Sequence, residues 1–172
     1  MGNRCRTNTL STVRLDDVSE IDNVDYLKID IQGAELEVFR NGTDRLRDCL
    51  VIHTEVEFLP MYEGQPLFSE VEIFLRKQGF TFHRFEPLIS RIVQPMLINN
   101  DPRGQLNQAT YADAVFIKDF TDFEILSSEQ LKIVALILND IFGSLDIAHR
   151  ALMAHDLKYQ SNLAEQYVNY LS

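Results

Sequence analysis

Residues 26–42 read YLKIDIQGAELEVFRNG, and two kinds of structure meet inside that stretch. Tyr26, Leu27, Ile29 and Ile31 are apolar and strand-forming. Gly33 breaks the pattern. Ala34, Leu36, Val38 and Phe39 then recur at helical spacing until Asn41-Gly42 ends the run, where Gly42 fits the position past a helix C-terminus that tolerates positive φ. Asp30, Gln32 and Glu35 sit at the joint. A strand that carries a carboxylate to a turn, with a helix start behind it, is the construction of open α/β sheets. Those sheets bind ligands beyond the carboxyl ends of their strands.

Working outward, CLVIHTEVEF over 49–58 is β-branched and apolar in its first half, which suits a strand covered on both faces. Residues 65–79, QPLFSEVEIFLRKQG, form an amphipathic helix with Pro66 at its start and Gly79 at its end, and Phe68, Val71, Phe74 and Leu75 share a face. FTFHRFEP over 80–87 alternates as a strand, and TYADAVFIKDF over 110–120 is a further one; the polar loop NNDPRGQLNQ lies between them. Upstream, residues 8–18 predict a strand or extended arm leading to a short helical turn at Asp16-Asp17. The order strand, helix, strand, helix, strand, loop, strand is the latter part of an open α/β sheet. It ends in an antiparallel pair, because no helix separates the last two strands.

The last fifty or so residues change character. SSEQLKIVALILNDIFG starts with a capping box, Ser127 and Gln130, and is apolar nearly all round from Leu131 to Leu138, so burial on several sides is expected. SLDIAHRALMAHD and LKYQSNLAEQYVNYLS complete two or three packed helices. Residues 1–120 therefore form a sheet domain and 121–172 a helical extension, packed on the sheet or on another chain.

Composition narrows the function. A net charge of −10 and a pI near 4.8 argue against a polyanionic partner such as nucleic acid, which needs clustered basic residues; the densest cationic patch holds only Arg4 and Arg6. Cys5 and Cys49 make neither a disulfide framework nor a metal motif, and Cys49 in an apolar run reads as a small buried residue. No apolar run approaches the roughly 18 residues of a membrane span, and the N-terminus lacks a signal-peptide core. A reducing, cytoplasmic setting is the expectation.

Two strands deliver acids to the same rim: Asp30 ends one, and Glu55 and Glu57 end the next. Carboxylates there can accept a proton from a substrate hydroxyl or orient it; hard oxygen ligands can alternatively hold a magnesium-like ion. Asp30 has a structural alternative as a helix N-cap, and Glu35 and Glu37 suit the dipole of a first helical turn. His53, inside an apolar strand, is either a hydrogen-bonded core residue or a catalyst. His83 and Arg84 reach a substrate or solvent. Tyr62, on the loop after the second strand, lines a pocket or packs on its own helix.

The segments Leu15-Asp16-Asp17, Lys28-Ile29-Asp30-Ile31-Gln32-Gly33-Ala34-Glu35 and Thr54-Glu55 occur in the order of a known signature. Over about residues 8–120 the chain resembles the FkbM-type family of S-adenosylmethionine-dependent methyltransferases, with Gln32 where that family often has glutamate. The resemblance implies a partial Rossmann-like methyltransferase sheet, its latter strands only, with a C-terminal helical appendage. It also implies methyl transfer from S-adenosylmethionine to an oxygen of a small molecule or sugar. Asp30 and Glu55 would be the catalytic acids, and Gln32, Glu57 and Tyr62 would contact the acceptor. The glycine-rich strand-turn-helix that lets backbone approach such a cofactor is not among the seven glycines of this sequence. The expectation is therefore a chain incomplete as an enzyme, whose first strand is an open edge prone to self-association; an interaction module that completes a partner is the alternative.

Overall fold

The computed structural model describes residues 11–172. Cys5, the Arg4–Arg6 patch and the first part of the expected arm lie outside the described residues. After a one-turn 3-10 helix at Leu15–Asp17, the chain runs β1 (Tyr26–Ile29), α1 (Glu35–Arg40), β2 (Val51–Glu57), α2 (Phe68–Lys77), β3 (Phe80–Arg91) and β4 (Gln108–Lys118). It then continues through a 3-10 segment, Phe120–Ile125, into α3 (Ser128–Asp140), α4 (Leu145–Tyr159) and α5 (Leu163–Leu171).

The sheet order is β1-β2-β4-β3, with β1 and β2 parallel and β4 antiparallel to both of its neighbours. This is a mixed sheet that ends in an antiparallel pair and carries a C-terminal helical bundle, consistent with a partial Rossmann-like fold. β3 runs four residues past its expected end at Pro87. A proline with no N–H to donate is tolerated because β3 is an edge strand, and the register shifts on either side of it.

Alternation along β2 divides the core. Ile52 and Val56 join Ala112, Ala114 and Phe116 of β4 beneath α1 and α2, which contribute Leu36, Phe39, Val71 and Leu75. Val51 faces the other way with Val115 and Ile117, against Leu131, Val134 and Leu138 of α3 and the alanines Ala148, Ala151 and Ala154 of α4. The helical segment thus closes the second face of the sheet. Leu131 and Leu138 are fully buried there, and each such side chain contributes roughly 1.5–3 kcal/mol of hydrophobic free energy. The predicted capping box forms: Gln130 N–H donates to Ser127 Oγ at 3.2 Å, and Ser127 N–H donates to Gln130 Oε1 at 2.9 Å.

Helix α3 is buried on two sides as expected, against the sheet and α4, and leaves Leu136 59 % exposed on a third. Two other expectations change. Gly42 does not adopt positive φ. It is glycine because a Cβ there would lie 2.7 Å from Leu15 Cδ2 and 2.9 Å from the Val38 carbonyl oxygen, where the 3-10 turn crosses the end of α1. Pro66 precedes α2 by two positions, and Glu70 caps that helix by accepting the Leu67 N–H at 3.0 Å.

His83 and Arg84 serve the packing of the helical layer. His83 Nε2 bonds Ser144 Oγ at 2.7 Å, and Arg84 Nη2 donates to the Phe142 carbonyl at 2.6 Å. Both tie β3 to the joint between α3 and α4.

Candidate functional site

The parallel register pairs Ile29 with Thr54, so the next residues, Asp30 and Glu55, emerge side by side at the carboxyl ends of β1 and β2. Gln32 joins them. Its Nε2 donates to Asp30 Oδ1 and to Glu55 Oε1, each at 3.0 Å. The reach depends on a sharp reversal of the chain, with φ at +61° for Gln32 and +105° for Gly33. A non-glycine residue held in the left-handed region needs support from its surroundings. Glu35 provides it: only 2 % exposed, its carboxylate accepts the Ile31 N–H at 2.8 Å and the Gly33 N–H at 2.9 Å.

The capping alternative for Asp30 is thereby excluded. Helix α1 has Ala34 at its N-cap with no side-chain bond, and the carboxylate that organises the turn belongs to Glu35. The helix-dipole reading of Glu35 missed this part, because nothing in the spacing shows that its side chain turns back toward the strand.

Gln32, Glu55, Glu57, Met61, Tyr62 and Tyr111 line a cleft of about 210 Å³ next to this clamp. Four of the sequence candidates therefore meet in one cavity, while Asp30 stands exposed at its rim, held by Gln32. Glu57 is only 5 % exposed. Burial first, then the carboxylates of Glu35 and Glu55, push its pKa up to about 7, while hydrogen bonding to its own backbone and to the Gln65 amide pulls it partly back. Burial also raises Glu55, with further contributions from Asp30, Asp113 and Glu35 opposed by Lys28.

Two contributors were not legible in advance. Gln65 Oε1 accepts the N–H groups of Met61 at 2.8 Å and Tyr62 at 3.1 Å, fixing the loop that forms one wall. Its Nε2 is buried without a hydrogen bond. Tyr111 arrives from β4 by antiparallel pairing with Glu57, a register that only the folded sheet defines. Arg91 approaches Tyr111 from the side away from these acids' own strand, with Nη2 3.4 Å from the hydroxyl and its guanidinium 5.8 Å from the ring centroid.

His53 is not part of the cleft lining. Its Nδ1 bonds Tyr26 Oη at 3.1 Å and its ring meets the Phe142 ring edge-on at 5.7 Å. Burial, followed by the charge of Lys28, lowers its pKa. This is the hydrogen-bonded core histidine. Among the described residues, no group of three or more His, Cys, Asp or Glu side chains is arranged to hold a metal ion.

Residues 4–82 match the family model of the methyltransferase FkbM domain. The match assigns a methyltransferase family to a partial domain that contains β1, α1, β2 and α2, together with the Asp30–Gln32–Glu55 clamp. Strand β4 and all three C-terminal helices lie beyond it. No curated protein and no solved structure gives a significant match to the chain.

The cofactor expected of an FkbM domain can be tested against the glycines, which mark where backbone could approach a ligand. At Gly33 a Cβ would meet Gln65 Nε2 at 2.5 Å, so the space left by the missing side chain is filled by Gln65. At Gly42 it is filled by Leu15. At Gly104 it is filled by Ile92. Gly64, Gly79 and Gly143 face open space on separate turns, and among the described residues no glycines cluster into a phosphate- or ribose-hugging loop. The described residues do not form a glycine cradle that fits S-adenosylmethionine. None of the described helices is long and apolar enough to cross a membrane.

Proposed function

We propose that this chain supplies the acceptor side of an FkbM-type methyl-transfer site that acts on an oxygen of a small molecule or sugar. Asp30 and Glu55 orient the acceptor hydroxyl and receive its proton; Gln32, Glu57 and Tyr62 form the walls against which the acceptor lies. The methyl donor, S-adenosylmethionine by family resemblance, is bound by groups outside the described residues, and residues 121–172 act as a helical extension to the sheet domain of residues 1–120. The observation that supports this reading best is the double hydrogen bond from Gln32, which holds two carboxylates from adjacent strands at one mouth. A pair so placed is suited to general-base work.

Calorimetric titration of the purified chain with S-adenosylhomocysteine tests the division of labour. No saturable heat is expected. Binding near one site per chain would overturn the proposal by showing that the donor's pocket is here after all.

A second reading, a non-catalytic module that completes a partner, is favoured by the edge of β1, which among the described residues pairs with a neighbour on one side only. Unpaired strand edges recruit other chains. Light scattering discriminates: a concentration-dependent dimer that dissociates when proline replaces Leu27 supports association through that edge, and a monomer at all concentrations refutes it.

A further inference from the structure

A chain of hydrogen bonds in the helical layer belongs neither to the acidic cleft nor to the 4–82 family match. Ser128 Oγ lies 2.8 Å from His155 Nε2, His155 Nδ1 lies 2.7 Å from Ser161 Oγ, and Ser161 Oγ lies 2.6 Å from Asp156 Oδ1. The direction of every bond follows from the last. Burial works against ionisation of Asp156, but the bonds it accepts from the Ser161 hydroxyl and from the Ala164 and Leu163 N–H groups outweigh it. They hold its pKa below the ordinary carboxylate value. A carboxylate only accepts, so the Ser161 hydroxyl donates to Asp156 and must itself accept from His155 Nδ1–H. That fixes the tautomer. Nε2 carries a lone pair, and the Ser128 hydroxyl donates to it. His155 is 4 % exposed, whereas Ser128 is partly exposed on the first turn of α3. The N–H groups of Ser128 and Glu129 open that helix, so neither has an intrahelical acceptor.

We propose that Ser128 is a catalytic nucleophile with His155 as its general base, and that this layer hydrolyses esters of small acyl groups. Ser161 and Asp156 are positioning residues: they touch no substrate, but they hold the imidazole with its lone pair toward Ser128. A serine, a base that takes its proton and a third group that orients the base are the constellation of nucleophilic acyl transfer. Ser128 Oγ attacks the ester carbonyl carbon while its proton passes to His155 Nε2. The carbonyl oxygen takes up the electron pair of the broken π bond at the N-terminus of α3, where free N–H groups and the helix dipole favour negative charge. Collapse breaks the bond to the alcohol, which leaves with the proton from Nε2. Water then adds to the acyl-serine and gives a proton to Nε2. A second collapse releases the carboxylic acid and returns that proton to Ser128 Oγ. The sum is ester plus water to acid plus alcohol, with no other reactant. A half-buried hydroxyl between α3 and α4 admits an acyl group of acetyl size and leaves the alcohol in solvent. The activity is separate from methyl transfer, and neither depends on the other.

The test uses the full chain, p-nitrophenyl acetate as the ester and a fluorophosphonate as the probe of a nucleophilic serine. Saturable release of nitrophenolate above the rate in buffer is expected. The fluorophosphonate should attach once per chain, at a site that peptide mass spectrometry places on Ser128. Ser128→Ala should lose the label and at least about 100-fold of kcat/KM, the scale of nucleophile and general-base catalysis. Ser161→Ala, on an exposed turn, should lower kcat by about tenfold or more at unchanged KM, because the imidazole is no longer oriented. Ser161→Thr should restore it. A relay that serves packing alone would leave kcat and labelling unmoved in variants whose urea midpoints match the wild type. No label on Ser128, turnover retained in Ser128→Ala, or wild-type kcat in Ser161→Ala each overturns the proposal. Labelling of the wild type decides alone where a variant does not fold.

Discussion

Strand β2 buries both of its ends, and the two ends are chemically opposite. At its start Val51 is fully buried between the sheet and the helical layer; at its finish Glu57 is 5 % exposed beside Glu55 and Tyr111. The first end gains free energy from removing hydrocarbon from water. The second spends some of it, because a carboxylate is desolvated next to others of the same sign. One strand therefore joins a region built for stability to a region kept at a cost, and the difference indicates where function is sought.

The largest expected effect probes the stable end. Leu138→Ala leaves a cavity between α3 and the sheet and should lower unfolding free energy by roughly 2–5 kcal/mol, read from urea denaturation. One cooperative transition for both sheet and helices would sharpen the comparison. Separate transitions would break it, by showing that the helical layer is no part of the same core.

At the costly end, Glu35 is the counter-example, a buried acid that holds structure. Glu35→Ala removes two backbone hydrogen bonds and should destabilise by roughly 1–3 kcal/mol, with hydrogen exchange accelerating at the Ile31 and Gly33 amides. Unchanged exchange there would contradict its role in the turn.

Glu57→Gln should act in the opposite direction, and with pH. The folded pKa of Glu57, about 7, lies above its ordinary value of 4.5. Its favourable contribution is complete below the ordinary value and is lost as pH rises through about 7. The wild type should therefore lose roughly 1–2 kcal/mol relative to the glutamine variant between pH 5 and pH 8, measured as the gap between their urea midpoints. A gap that stays constant across that range would mean the carboxylate is ionised throughout.

Tyr62→Ala is the smallest. At 59 % exposed, its loss should change stability by no more than about 0.5 kcal/mol, read from urea denaturation. A large loss of stability would recast Tyr62 as packing rather than cleft wall.

Much of this was written in local pattern. The switch from period two to helical spacing at Gly33, the capping box at Ser127 and the helix-free connection between the last strands led to the right elements and the right antiparallel end. The same pattern placed Asp30 and Glu55 at one rim, since neighbouring parallel strands end together. It failed where a side chain's direction mattered. Glu35 looked like a dipole-favoured surface acid and is a buried clamp, while His83 and Arg84 looked available and hold the helices. Gly42 looked like a left-handed terminus and is a point of close approach to Leu15.

The amino-acid sequence by itself determined the order of strands and helices and the family resemblance of its first half, because hydrophobic period, caps and turn residues act over a few positions. Only the tertiary structure decided that the helices cover the second face of the sheet, that Tyr111 and Gln65 join the acids, and that Glu57 is desolvated beside Glu35 and Glu55. Those facts depend on register and packing between residues distant in the chain, and on a desolvation that no residue experiences until its neighbours have closed around it.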